Sequence, residues 1–244
     1  MINLNRVNLS IAPVNVAFND AIERAAAATA KLPRPFLGAS MVGSECLRKI
    51  QYDWWCKPML AARTREIFAR GDYFETRMRE QLIAAGFKFA PFEVLGFTAV
   101  NGDLRGHADG IIIAGPDLPG VYLNFPFLWE HKAINAKNWR AIEREGLEQT
   151  FPQYATQVAL YQAYLELPNP ALFSCTNADT CEQLHFFVPF NAERAQLWSD
   201  RAVAIIEATR AGELLLRAYD DPSDWRCKMC GHHDRCWGDR HGKA

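Results

Sequence analysis

The chain of 244 residues is 49% hydrophobic and 12% aromatic, and its formal net charge is −1. This composition is typical of a globular protein with enough apolar material for one large domain, or for one domain with additions. It excludes a global positive field that would attract nucleic acid over long distances. Any contact with DNA would therefore depend on local clusters of arginine.

The N-terminal segment and the seven cysteines bear on the cellular compartment. The segment MINLNRVNLSIAPVNVAFND has no basic n-region, and asparagines interrupt its apolar residues, so no signal peptide is predicted. No stretch approaches the ~20 apolar residues of a membrane span. We therefore expect a cytoplasmic protein (host cytoplasm for a phage-encoded one) without a membrane partner. In a reducing compartment its cysteines would bind metal or act in catalysis rather than form disulfides.

The first part of the chain is predicted to be helical. One helix is expected over 19–31, with Asn19 or Asp20 as its cap and with Pro33 and Pro35 ending it. Two further predicted helices cover 44–56 and about 61–85, and Gly86 fits the C-cap of the second.

From Phe92 onward the pattern changes to short β-prone runs, EVLGFTAV, LRGHADGIIIA and VYLNFPFLWEHKA. The first two resemble a hairpin with a turn at Asn101-Gly102. The elements predicted after them are helices at about 136–147 and 152–166, strands near 171–176 and 183–189, and a helix at about 191–212. This order predicts an α/β protein, in which helices cover a mixed sheet.

The triplet Glu130-His131-Lys132 ends an apolar strand-like run. Side chains two apart share one face of a strand, so Glu130 and Lys132 are predicted to project together while His131 points away. A carboxylate that holds Mg²⁺ or Mn²⁺, beside a lysine that orients and helps deprotonate the attacking water, suits phosphodiester hydrolysis. Taken alone, the triplet favours the simpler interpretation of a surface ion pair.

Asp109 lies on the preceding β-prone run, between Gly106 and Gly110. Glycines in such a run let another group approach the backbone closely. An aspartate that precedes the apolar residues 111–113 is costly to bury unless it is paired or bound to a metal. The alternative is an ordinary aspartate at the end of a strand.

Two predicted helices contribute the remaining candidates. Glu75 follows Gly71 by one helical turn, and its alternative role is that of a solvated helix residue. Gln157 and Tyr161 are four residues apart and so share a helix face, where they could hold a nucleotide or surround the lysine. Packing of that face on the core is the alternative, and it explains Tyr161 better than Gln157.

In their order, these motifs resemble those of the RecB-like PD-(D/E)XK nuclease superfamily, over roughly residues 40–240. The resemblance implies a restriction-endonuclease-like fold, with a mixed central β-sheet flanked by helices, and a Mg²⁺- or Mn²⁺-dependent deoxyribonuclease. Many members carry histidine where this chain has Glu75, and because glutamate also suits a hard cation, this departure concerns metal preference. The implied metal ligands are Glu75, Asp109, Glu130 and the His131 carbonyl, and the implied catalytic set is Glu75, Asp109, Glu130, Lys132, Gln157 and Tyr161.

A cysteine motif, Cys227-x-x-Cys230-x5-Cys236, stands near the C-terminus. Two thiolates spaced by two residues fit one metal ion or cluster, and the third can wrap back to it. The candidates for a fourth ligand are Cys46, Cys56, Cys175, Cys181, His232 and His233. We interpret Cys56, Cys175 and Cys181 as core residues, because free cysteine often behaves as a small hydrophobe.

Cys46 stands in the segment Ser44-x-Cys46-x-Arg48-x-x-x-Tyr52, which resembles the iron–sulfur branch of the same superfamily. That branch includes CRISPR-associated exonucleases, phage relatives and AddB-type recombination subunits. The resemblance implies a 4Fe-4S cluster, with zinc in the same ligands as the alternative; the ligands would be Cys46, Cys227, Cys230 and Cys236. The implied divisions are an N-terminal helical extension at 1–43, a nuclease core at 44–218, and a C-terminal metal-cluster segment at 219–244 closed by Cys46.

Basic residues crowd two of the predicted helices. With an aromatic residue for base stacking, they would suit single-stranded DNA or a frayed end. The alternative is a solvated face balanced by glutamates. The residues are Arg63, Arg65, Arg70, Arg77 and Arg79 on the Glu75 helix, and Lys137, Trp139, Arg140 and Arg144 after the Glu130 strand.

The sequence therefore predicts an exonuclease that acts on single-stranded or resected DNA ends. Its context would be recombination, repair, phage DNA processing or CRISPR adaptation, with a protein partner from one of these pathways. One alternative is a non-catalytic DNA-binding or scaffold subunit that keeps the fold and the cluster. Another is a zinc-stabilised protein-interaction domain.

Overall fold

The computed structural model describes residues 11–28, 34–56 and 61–238. The strands within these ranges are β1 Leu37–Gly38, β2 Lys88–Phe89, β3 Gly96–Ala99, β4 Leu104–His107, β5 Gly110–Ala114, β6 Phe127–Ile134, β7 Ala171–Asn177 and β8 Gln183–Val188. The helices are α1 Ile11–Ala28, α2 Ala39–Val42, α3 Leu47–Trp55, α4 Ala62–Ala84, α5 Ala136–Glu145, α6 Leu147–Thr150, α7 Pro152–Tyr164, α8 Ala192–Ala211, α9 Trp225–Lys228 and α10 His233–Trp237.

The central sheet has the strand order β2-β5-β6-β7-β8. Strands β6 and β7 are parallel, whereas β2, β5 and β8 pair antiparallel to their neighbours. A parallel pair needs a crossover connection, and α5, α6 and α7 supply it between β6 and β7. The sheet is therefore mixed, and the predicted α/β class is confirmed.

Alternation along β6 sends its side chains into two separate cores. Leu128 belongs to the larger core, which includes residues of α7 and α8. Phe127 and Trp129 belong to a smaller core on the opposite face, with Met78 of α4. Helices thus cover both faces of the central sheet, and none in the described ranges has the length and apolar character of a membrane span.

A small second sheet packs beside the central one, in the order β1-β4-β3. Strands β3 and β4 form the predicted hairpin, which turns through 100–102 with Asn101 at a φ of 54°. Strand β1 pairs in parallel with β4, and Leu37 and Val42 are fully buried in the larger core. Residues just before position 44 therefore contribute to the core, although the predicted extension includes them.

The first helix differs from its prediction. It begins at Ile11, so Asn19 and Asp20 lie inside α1, and the predicted cap at these residues is wrong. Pro13 falls in the first turn, where the missing N–H costs no helical hydrogen bond, so the helix can begin before the predicted cap. The predicted end of this helix, at residues 29–31 and Pro33, lies outside the described residues.

Two of the β-prone runs are also shorter or more divided than predicted. The run LRGHADGIIIA breaks at Ala108-Asp109 into β4 and β5, which belong to different sheets. The strand expected from Val121 begins only at Phe127, since Pro126 has no N–H to donate to a neighbouring strand. The first of these differences places Asp109 outside any strand.

The other helix predictions are confirmed within a few residues. Helix α4 ends at Ala84, and Gly86 follows with a φ of 97°. The Phe87 N–H donates to the Leu82 carbonyl at 3.0 Å, which closes the last turn as predicted for this glycine. The helix predicted over 136–147 is divided by Gly146, whose φ is 81°.

Candidate active site

The break between β4 and β5 presents Asp109 to the neighbouring strand β6. Its Oδ2 accepts a hydrogen bond from the backbone N–H of His131 at 2.8 Å. Gly110, the next residue, pairs with Trp129 in the antiparallel register. The aspartate is therefore fixed beside the middle of β6, where Glu130 and Lys132 lie.

Lys132 lies among the oxygens of three residues. Its Nζ donates to Glu130 Oε1, and it donates to the His131 carbonyl at 3.0 Å. Asp109 Oδ2 is 3.6 Å from the same nitrogen. The side chain of Glu130 is 0% exposed and that of Lys132 is 21% exposed, so the alternative of a surface ion pair does not describe this triplet.

The two oxygens of Glu130 have different surroundings. Oε1 also accepts a hydrogen bond from Gln157 Nε2 at 2.6 Å. Oε2 is buried, and no atom of the described residues donates a hydrogen bond to it. A buried polar atom without a partner is uncommon and costs free energy, so this oxygen calls for a further ligand.

The opposite face of β6 carries His131, as the strand alternation predicts. Its Nε2 lies 3.0 Å from Thr176 Oγ1 in a buried contact. Burial, with smaller effects of Lys132 and His185, lowers the pKa of this imidazole to about 3. The side chain of His131 is therefore neutral and turned away from the cluster, which leaves its carbonyl as the group that faces Lys132.

Burial and mutual repulsion raise the pKa values of the acidic groups. Burial is the main cause for Glu75, and repulsion by Asp109 adds to it, so the pKa of Glu75 rises to about 7. The same two causes raise the pKa of Glu130. Burial lowers the pKa of Lys132, but the carboxylates of Glu130 and Asp109 outweigh it and raise the pKa overall. The cluster thus has an excess of acidic groups around one ammonium.

Glycines allow the surrounding rings to approach. A Cβ atom at Gly106 would overlap the Phe97 ring and lie 2.5 Å from Tyr161 Cε1. A Cβ at Gly110 would lie 2.7 Å from the Phe89 ring. The close approach that the two glycines predict is confirmed. Tyr161 is buried against the strand break that holds Asp109.

One residue of this site was missed in the sequence. The Nζ of Lys132 lies 5.5 Å above the Tyr154 ring, and burial raises the pKa of that phenol. Tyr154 precedes Gln157 by three residues on α7, a spacing that puts both on one helix face. That spacing in the sequence could have identified Tyr154 as a residue of the site.

The oxygens at this cluster are of the type that Mg²⁺ and Mn²⁺ prefer. Two carboxylates, Glu130 and Asp109, and the His131 carbonyl lie around Lys132, and Glu75 is near enough to be influenced by the charges of Asp109 and Lys132. Glu130 Oε2 has no partner among the described residues. Over those same residues no three acidic, histidine or cysteine side chains form a ready-made cation site. Two observations therefore support the binding of a divalent cation, namely the type of donor atom and the unpartnered oxygen of Glu130.

The four cysteines implied as ligands line one cavity of about 510 Å³. Cys46 precedes α3, and the other three lie in or beside the short helices α9 and α10. Cys236 Sγ accepts a hydrogen bond from Arg217 Nε at 3.3 Å. Tyr52 borders the same cavity, and its hydroxyl is buried without a hydrogen-bond partner within the described part of the chain.

Of the alternative ligands, His232 and His233 line the same cavity, whereas Cys56, Cys175 and Cys181 do not. His232 is buried, and its Nε2 lies 2.8 Å from Asp53 Oδ1. Cys175 is buried on β7, as predicted. Cys56 and Cys181 are exposed, so their interpretation as core residues is wrong. Cys56 follows the end of α3 and Cys181 lies in the turn between β7 and β8, and neither place reaches a core.

The basic residues divide into several groups. Arg77 pairs with Glu80 and Arg144 with Glu145, in accord with the solvated-face alternative. Trp139 is partly buried, since it packs against the larger core and its indole nitrogen is buried. Arg79 is different, because its NH1 lies 3.3 Å from the Asp109 carbonyl and donates to it.

No family model and no curated protein matches this sequence. Among solved structures, an alkaline exonuclease (LHK-Exo) from Laribacter hongkongensis is similar with a TM-score of 0.50 and 14% identity, over 79% of this chain and 93% of that chain. The crystal structure of SSO0001 is similar with a TM-score of 0.48 and 13% identity, over 92% and 96%. The likeness to the alkaline exonuclease is one of fold, and with the mixed, helix-flanked sheet described above it confirms the predicted restriction-endonuclease-like fold class.

Proposed function

We propose that this chain is a divalent-cation-dependent DNA nuclease. The observation that carries the proposal is the fully buried Glu130, with one oxygen held by Lys132 and Gln157 and the other without a partner among the described residues. The fold shared with a solved alkaline exonuclease supports the same class of activity.

Each polar residue of the cluster has a role in this proposal. Glu75, Asp109, Glu130 and the His131 carbonyl would hold Mg²⁺ or Mn²⁺. When bound, such a cation stabilises the negative charge that develops on a phosphodiester. The carboxylates of Glu130 and Asp109 raise the pKa of Lys132, and its ammonium would orient the attacking water by donating a hydrogen bond. Gln157 keeps Glu130 in place, and Tyr161 supports the Asp109 loop.

Metal dependence is tested with end-labelled DNA in Mg²⁺, in Mn²⁺ and in excess EDTA. Cleavage is expected with either cation and not with the chelator, because no protein nucleophile is required. Strong cleavage in excess EDTA would exclude this chemistry. Binding of DNA without cleavage under every metal condition would favour the non-catalytic scaffold instead.

We further propose that the enzyme degrades single-stranded or resected ends as an exonuclease. The solved neighbour is an exonuclease. The exposed Arg63 and Arg70 of α4, with Lys137 and Arg140 of α5, could track a single strand. Linear and circular single-stranded DNA, with duplex controls, separate the activities. Release of mononucleotides from linear strands alone supports the proposal, and nicking of the circle at a similar rate contradicts it.

The second proposed component is a structural centre at Cys46, Cys227, Cys230 and Cys236. Its support is that these four thiols line one cavity, whereas Cys56, Cys175 and Cys181 do not. Four thiolates suit a 4Fe-4S cluster, and zinc is the alternative in the same ligands. Iron, sulfide and zinc analysis of anaerobically purified protein, with its visible absorption, decides between them. Protein without bound metal would contradict both.

A further inference from the structure

Five arginines lie on α4, and one of them has a position unlike the rest. The NH1 of Arg79 donates to the Asp109 carbonyl at 3.3 Å, and the guanidinium carbon lies 4.2 Å from the centroid of the Phe89 ring. Arg77, two residues earlier, pairs with Glu80 at the surface instead. Arg79 therefore contacts the strand break of the candidate active site.

The guanidinium of Arg79 is held from two sides. The Phe89 ring beneath it packs edge-on against Trp129 of β6, with ring centroids 5.3 Å apart and an interplanar angle of 76°. Arg79 also follows Glu75 by four residues, so the two side chains share one face of α4. A guanidinium that is fixed before a ligand arrives loses little conformational freedom on binding it.

The two cations at the cluster differ in their free donors. The ammonium of Lys132 donates to Glu130 and to the His131 carbonyl, and the proposed mechanism assigns its remaining N–H to the attacking water. A guanidinium has five N–H donors, and within the described chain Arg79 uses one of them, toward Asp109. Arg79 can therefore take an anion without giving up its present contacts.

We propose that Arg79 binds a phosphodiester group of the DNA strand at the cleavage site. A planar fork of N–H donors matches two phosphate oxygens, which a lysine cannot do as a point charge. Such a contact reads the backbone and not the base, so it favours no sequence. This inference rests on the proposed nuclease function and adds a substrate-binding residue to it.

The first test compares Arg79→Gln and Arg79→Lys with Arg77→Gln as the matched control. Loss of a charged hydrogen bond to the substrate is expected to lower kcat/KM roughly 10- to 100-fold for Arg79→Gln. Arg79→Lys keeps the charge but not the fork, and it is expected to lose about tenfold. Arg77→Gln should stay within about twofold of the wild type. Circular dichroism and the melting temperature report whether each variant folds. If Arg79→Gln does not fold, Arg79→Lys alone tests the proposal.

The second test uses a readout that a purely structural role would not change. In a Lys132→Ala background, binding of a labelled single strand is measured over a range of salt concentrations. Removal of one phosphate contact should reduce the slope of log K against log salt by about 0.7, and Arg77→Gln should leave the slope unchanged.

The outcomes separate the two proposals. A wild-type protein that neither cleaves nor binds DNA overturns the nuclease proposal and this inference together. A wild type that cleaves, with Arg79 variants that match Arg77→Gln in kcat/KM or in salt slope, overturns only the inference about Arg79.

Discussion

The unfavourable burial and mutual repulsion of negative charge at this site are concentrated at Glu75 and Glu130. Both are acidic and each is repelled by Asp109; Glu130 is fully buried and Glu75 is half-buried. Burial of a charged carboxylate is unfavourable unless a cation or hydrogen bonds compensate it. Lys132 and Gln157 compensate one oxygen of Glu130, and Glu75 remains half-buried. We therefore expect a divalent cation to stabilise the site.

A dependence of stability on pH follows from the raised pKa values. Because the pKa of Glu75 is about 7 in the fold and lower in the unfolded chain, the folded state binds the proton more tightly. Without added metal, stability should be greatest below the unfolded pKa and should fall as the pH rises toward about 7. A cation binds the deprotonated carboxylates, so the increase in melting temperature with Mg²⁺ should grow from pH 5 to pH 8.

Melting curves at pH 5, 6, 7 and 8, with and without Mg²⁺, measure this effect. Glu75→Gln should flatten the pH dependence, whereas the exposed Glu145→Gln should not change it. A stabilisation by Mg²⁺ that is the same at every pH would contradict the account of these carboxylates.

At the level of elements, the break between β4 and β5 gives the site its shape. The chain leaves the small sheet at His107 and enters the central sheet at Gly110, and Asp109 lies between them. Gly106 lets the rings of Phe97 and Tyr161 close over the break. The position of the aspartate therefore depends on the absence of a side chain three residues earlier.

Substitution of this glycine tests the element directly. Gly106→Ala should destabilise the fold by about 1–3 kcal/mol and reduce cleavage, since its Cβ would overlap two rings. Gly71→Ala is the matched control, because a Cβ there meets nothing within 4 Å and alanine favours the helix by up to about 1 kcal/mol. Urea unfolding and cleavage rates check both, and equal stabilities of the two variants would refute the steric argument.

Local patterns in the sequence predicted much of the fold and of the candidate site, and tertiary contacts determined the remaining features. The Asn101-Gly102 turn, the α4 boundary at Gly86 and the shared face of Glu130 and Lys132 are local features, so the sequence contains them. The contact of Arg79 with Asp109 joins residues 30 positions apart, and helix periodicity does not distinguish it from Arg77. The buried environment of Glu130 depends on α7, which the triplet itself cannot indicate.

At the scale of the whole molecule, the segment after α8 returns to α3. Gln51 Nε2 donates to the Glu213 carbonyl at 2.6 Å, and the Leu215 N–H donates to Gln51 Oε1 at 2.7 Å. Arg48 Nε donates to the Leu215 carbonyl at 2.7 Å. These bonds bring the C-terminal cysteines close to Cys46, so a shared metal centre would reinforce a closure that protein atoms already make.

Loss of one cysteine of the cavity should therefore act through stability. Cys46→Ser is expected to lower the metal content and to destabilise the protein by roughly 2 kcal/mol or more, because metal binding contributes folding free energy. Activity should fall indirectly and recover partly at lower temperature. Cys181→Ser, at an exposed turn, is the control and should change neither quantity. An unaltered metal content in Cys46→Ser would remove Cys46 from the centre.

The most direct test of the central claim is the rate at which Lys132→Ala cleaves end-labelled single-stranded DNA in Mg²⁺. Lys132 contacts Glu130, Asp109 and the His131 carbonyl together, so its removal should abolish cleavage while the fold and DNA binding persist. The exposed Lys88→Ala should cleave at the wild-type rate. A folded Lys132→Ala protein that cleaves as fast as the wild type would contradict the proposed active site.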